Sequence, residues 1–145
     1  MELSSLLNVM ERVLDSSHAA VFTTVDADGR PHSRWMVPAV IRGQSGSLYA
    51  VTSPHFPKID QIAAHDRVSW LFQSKALDEI LEVTGKALII DNPALKSDVL
   101  EALGPNLSTF WHINPDESDL TVIETVIESV TYLQPQKGER TTATA

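Results

Sequence analysis

A two-residue period runs through "EILEVTGKALII", and it constrains this chain more than any other feature. Leu81, Val83, Ala87 and Ile89 fall on one side of an extended segment, with Glu82, Thr84 and Lys86 on the other. That alternation specifies a strand with one buried face and one wet face. The same reading applies to "RVSWLFQ", where Val68, Trp70 and Phe72 share a face. Upstream, "AAVFTTVDADGRPHSRWMVPAVI" reads as two strands joined by a turn at Asp26 to Gly29, where Asp-Gly supplies the backbone freedom a tight hairpin needs. Two more segments are rich enough in β-branched and apolar residues to be strands: "LYAVTS", and "LTVIETVIESVTYL", whose apolar spacing also admits a helix. Pro38 inside a strand marks an edge, a bulge or a close approach to the backbone.

Helical spacing appears in three places. Leu3, Leu6, Leu7, Met10, Val13 and Leu14 form an amphipathic stripe at the N-terminus. A short helix begins within "VTSPHFPKIDQI", and "NPALKSDVLEAL" starts with Asn92 as N-cap and Pro93 in the first turn. One further helical turn is expected around Ser108 to Trp111. The tally is about six strands and three short helices. Most neighbouring strands are close enough in sequence to pair antiparallel, so an α+β domain with a sheet curled into a barrel is expected. Residues 1–135 form one domain on this reading, and the polar "QPQKGERTTATA" leaves residues 136–145 as a disordered tail.

Composition narrows the function classes. At 145 residues the chain has the length of one domain, and 43% hydrophobic content is that of a globular protein. A net charge of −8 disfavours nucleic acid, whose binding rests on neutralising phosphates. No apolar run approaches the ~20 residues that span a bilayer, and Glu2 and Glu11 stand where a signal peptide would be basic. A cytoplasmic protein without membrane contact is expected. There is no cysteine, which removes disulfides, thiolate metal sites and thiol nucleophiles. The five histidines show no metal-ligand spacing, so no metal is expected. Trp35, Trp70 and Trp111 read as core or interface anchors, and Asp78, Glu79 and Glu82 as a solvated patch.

One residue fits poorly. Lys58 opens the helix after "VTSPHFP", where the helix dipole already presents positive charge and favours acidic neighbours. Alone it reads as a solvated lysine, and Arg34 alone as half of a surface ion pair; Thr52 and Ser53 read as helix caps. An anion at that helix start would resolve the conflict, because backbone N–H groups, hydroxyls and a cation are what a phosphate gathers.

"TTVDADGRPHSRWM", "LYAVTSPHFPKIDQIAAHDRVSWLF" and "EVTGKALI", in that order, resemble the pyridoxamine 5'-phosphate oxidase-like split-barrel flavoproteins, and in particular their general stress protein branch. The resemblance extends over roughly residues 3 to 133. It implies an antiparallel six-stranded split β-barrel with short flanking helices, and a homodimer holding FMN at the subunit interface. By position, Arg34 corresponds to an FMN-binding arginine and Lys58 to the phosphate lysine. Trp35, Met36 and Val37 match the strand whose backbone runs beside the isoalloxazine. Val51 and Thr52 match the strand-end pair at the cofactor, Ser53 adds a hydroxyl, and Trp111 with Phe110 matches loosely a cover from the other subunit. No side chain stands out as a catalytic acid or base. Phe56 and Pro57 occupy positions where relatives place Arg or Ser before the lysine, and Ile80 stands near the place of a flavin-contacting glutamine. Oxidation of vitamin B6 is therefore not expected. A flavin-dependent oxidoreductase acting with a small-molecule electron donor or acceptor leads the readings. A flavin carrier without turnover, a barrel binding deazaflavin or haem, and a dimer without cofactor stay open beside it.

Overall fold

The computed structural model describes residues 2–104 and 120–145. The N-terminal stripe forms α1 (Leu3–Ser17), which buries Leu6, Met10, Val13 and Leu14 and ends on His18 in the left-handed region. β1 (Ala20–Val25) and β2 (Pro31–Met36) make the expected hairpin. Its turn is held by the Asp26 carboxylate, which accepts from the backbone N–H groups of Asp28 and Arg30, both at 2.9 Å. β3 (Ser47–Thr52), α2 (Pro57–Ala64), β4 (Arg67–Gln73) and β5 (Ile80–Ile90) follow in order. α3 (Pro93–Leu103) is capped as its sequence implies: the Asn92 side chain accepts from the N–H groups of Ala94 and Leu95. β6 (Thr121–Gln134) takes the extended alternative that its β-branched residues favour.

All pairings are antiparallel, in the order β2-β1-β4-β5-β6-β3. Among the described residues the count is seven strands rather than six. Residues 136–145 are not a disordered tail: after a 3-10 turn at Pro135–Lys137 the chain forms β7 (Glu139–Thr144), which pairs with β6. β6 can take it because β5 occupies one of its edges, while β3 fills only Thr121 to Val126 of the other. The remainder of that edge, Ser129 to Gln134, pairs with β7. Polar residues suit such a strand, since pairing recruits the backbone and leaves half the side chains in water.

β2 and β3 stand at the two ends of the sheet path, and this is where the barrel is split. Just past Pro38 the gap is bridged once, by Ala39 and Tyr49 exchanging backbone hydrogen bonds of 2.6 and 2.9 Å. β3 is buried on both faces. Leu48 and Ala50 join the inner core with Phe22, Trp70, Phe72, Leu81 and Val83, while Tyr49 and Val51 join an outer cluster with Val99 and Leu103 of α3. Trp70 is the inner core's centre, with its ring 4.4 Å from that of Phe22 and its N–H donated to Thr125 at 3.0 Å. Glu79 is no solvated residue. It accepts both Arg12 amino groups, at 2.8 and 2.6 Å, and the Tyr132 hydroxyl at 2.5 Å, and these partners hold its carboxyl down at about 2. The contact ties α1 to the β4–β5 turn and β6. No helix among the described residues is long and apolar enough to cross a membrane.

Candidate functional site

Strand register decides which way Arg34 faces. It pairs with Phe22, and Met36 pairs with Ala20, so Arg34 lies on the inner, core-forming face of β2. The half-buried guanidinium is held by neutral acceptors. One amino group donates to the Phe22 carbonyl at 3.2 Å and to Thr24 Oγ1 at 2.8 Å; the other donates to Gln61 Oε1 at 3.2 Å. Thr24 Oγ1 in turn donates to the same Gln61 oxygen at 2.5 Å. The charged group also lies 5.9 Å from the centre of the Phe22 ring.

Lys58 reaches this region from α2. It is 8% exposed, so the reading as a solvated lysine does not hold. Its Nζ donates to Thr52 Oγ1 at 2.9 Å and sits 4.4 Å from the centre of the Phe56 ring. Burial, and secondarily the charge of Arg34, pull the ammonium from 10.5 down to about 8. Burial lowers Arg34 as well. Among the described residues neither cation has a carboxylate within 4 Å, whereas Arg12 and Arg67 both do. Two desolvated cations that repel one another are unfavourable alone and become favourable when an anion joins them.

The other expected site residues divide by strand parity. Thr52, fully buried at the end of β3, accepts from Lys58 and keeps its own hydroxyl proton for another acceptor. Neither Thr52 nor Ser53 caps α2, whose N-cap position is Phe56 with no side-chain bond. Ser53 Oγ accepts instead from the His55 N–H at 3.3 Å, closing the turn. Met36 and Val37 are core residues, as is Val51 beneath α3, so their backbone alone is open to a ligand. Trp35 lies on the opposite face from Arg34 and is 61% exposed. Trp111, with Phe110 and the helical turn expected there, lies outside the described residues. Thr24, Gln61 and the Phe56 ring are additions that sequence reading missed. For Gln61 a signal was present, three residues after Lys58 and so on the same side of a helix.

The sequence matches the family model described as pyridoxamine 5'-phosphate oxidase over residues 6–134. No curated protein matches it. Solved structures share the fold at low identity. A Clostridium acetobutylicum protein related to general stress protein 26 superposes with a TM-score of 0.75 at 16% identity, over 99% of this chain and 96% of the other. A Nostoc punctiforme protein described as pyridoxamine 5'-phosphate oxidase-related and FMN binding gives 0.70 at 15%, over 100% and 99%. A heme binding protein from Mycobacterium smegmatis gives 0.70 at 16%, over 91% of this chain and 55% of its own.

Proposed function

Because the chain belongs to the pyridoxamine 5'-phosphate oxidase family, we propose that Arg34 and Lys58 hold the phosphate of FMN and that the protein is a flavoprotein. One observation carries this reading: two neighbouring desolvated cations with no carboxylate within 4 Å among the described residues. A phosphate monoester brings nearly two negative charges and three acceptor oxygens. Lys58, Arg34 and the Thr52 hydroxyl are the donors to it, assisted by the start of α2. The Phe56 ring cannot donate to a phosphate, but it supports Lys58 from the side. The isoalloxazine would run along the backbone of Trp35 to Val37, at the split between β2 and β3.

Bound flavin supplies hydride and electron transfer, and the protein's part is to bind and orient it. A small molecule would donate or accept the electrons. A homodimer with the flavin at its interface accompanies this reading, and the apolar side chains left exposed at Trp35, Leu88, Ile89 and Val126 support it. The site groups described are all binding groups, which favours flavin storage without turnover as a second reading. Stirring the FMN-loaded protein with NADH or NADPH and then an acceptor separates the two: repeated bleaching and recovery of the flavin band means turnover. A protein that stays colourless after incubation with FMN refutes both.

Lys58 makes the affinity pH-dependent. In the free protein it loses its proton through about pH 8. A bound dianion raises that value, so binding above pH 8 takes up a proton and grows weaker. From pH 7, where the phosphate is ionised, to 8 the FMN affinity is expected to be nearly level, then to fall by up to about tenfold per pH unit. Fluorescence titrations between pH 7 and 9.5 measure this, and an equal slope for riboflavin would contradict it.

A further inference from the structure

We propose that Gln61 is the positioning residue of this site: its neutral amide oxygen fixes Arg34 beside Lys58 without cancelling the charge of the pair. The inference rests on the phosphate reading above and names the residue that sets the site's charge. α2 carries Lys58 and Gln61 three residues apart, on one side of the helix. The same short element therefore supplies one cation and anchors the other, which comes from β2.

The amide's orientation is dictated by its neighbours. Gln61 Oε1 lies within reach of two donors, Arg34 at 3.2 Å and the Thr24 hydroxyl at 2.5 Å. Thr24 has no exposure at all, and its oxygen is taken by Arg34 at 2.8 Å, so its proton goes to Gln61. An oxygen, not the NH2 group, must face this cluster. A carboxylate at position 61 would satisfy the same geometry, yet it would pair with Arg34 and remove about one unit of positive charge from the site. The amide holds the guanidinium and leaves both charges for a dianion. Glutamine is thus selected over glutamate by the charge of the ligand.

The test compares Gln61→Glu, Gln61→Leu and Thr24→Val with the wild type in three measurements. These are affinity for FMN and for riboflavin, thermal melting, and the Lys58 titration midpoint in cofactor-free protein. The midpoint is read by carbon NMR of labelled lysine and assigned with Lys58→Met. Gln61→Glu is expected to raise the Lys58 midpoint and weaken FMN by about 30-fold, with riboflavin unaffected. Gln61→Leu and Thr24→Val, which loosen Arg34 without adding charge, are expected to weaken FMN about tenfold with the same indifference to riboflavin. They decide the matter if the glutamate variant does not fold. A parallel loss of FMN and riboflavin, or a Lys58 midpoint unmoved by Gln61→Glu, overturns the proposal. A wild type that takes up no FMN defeats the phosphate reading instead, and the Lys58 midpoint then decides by itself whether Gln61 governs the pair.

Discussion

Replacing Lys58 with methionine is expected to move binding and stability in opposite directions. FMN affinity falls by ~1–3 kcal/mol, the worth of a charge-assisted hydrogen bond to phosphate. The cofactor-free protein becomes more stable near neutral pH by about 1 kcal/mol, because a buried cation facing another cation is replaced by an apolar chain of similar length. The gain has a pH signature. Lys58 is lowered to about 8 in the fold from 10.5 unfolded, so between those values the unfolded chain holds more protons. Wild-type stability therefore rises with pH across that window, and the advantage of Lys58→Met shrinks over the same range. Arg34→Ala should weaken FMN by a similar ~1–3 kcal/mol without the stability gain, since Thr24 and Gln61 lose a partner. Melting curves at pH 7 and 10, beside FMN titrations, check both. A Lys58→Met protein that melts lower and binds FMN unchanged contradicts the account.

The second large effect concerns the frame that holds the site. Between Thr84 and Gly85 the β5–β6 register slips: Thr84 faces Ser129 while Gly85 faces Ile127, leaving Glu128 as the extra residue. Glu128 turns to pair with Arg67. The slip brings the two backbones so close that a Cβ at Gly85 would lie 2.1 Å from the Val126 carbonyl oxygen. Backbone cannot yield as a side chain does, so Gly85→Ala must part the strands of the longest pairing in the sheet. The expected loss is about 3 kcal/mol, or a fall in melting temperature on the order of 10 °C. FMN should keep its preference over riboflavin in whatever fraction stays folded, because Gly85 pairs with Val68 and Ile127, neither of which holds a cation. A melting temperature unchanged by Gly85→Ala would show that the two strands are not this close.

Local pattern carried most of this fold. The stripe of α1, the alternation in β4 and β5, the Asp26 turn and the Asn92 cap each follow from neighbours within a few residues. β7 escaped because its residues are polar. The available signal was the β-branched Thr141, Thr142 and Thr144 after Gly138, whose left-handed φ of 64° closes the turn. The convergence of Arg34 and Lys58 was legible only through resemblance, since 24 residues separate them and no local rule joins them. Thr24 was not legible for the same reason, and for Gln61 the spacing from Lys58 gave its side of the helix but not its partner. Their role depends on which face of β1 and which side of α2 turn toward Arg34, and only the assembled sheet decides that. For Trp35 the resemblance concerns the backbone alone, and strand parity sends its ring to the face opposite Arg34.

The most direct measurement is a paired titration of cofactor-free wild-type protein with FMN and with riboflavin at pH 7. The two ligands share the ring and differ by the phosphate. If the cation pair holds that phosphate, FMN binds tighter by about 30-fold or more, the sum expected of two charge-assisted contacts. Equal affinity for the two would mean that Arg34 and Lys58 face something else.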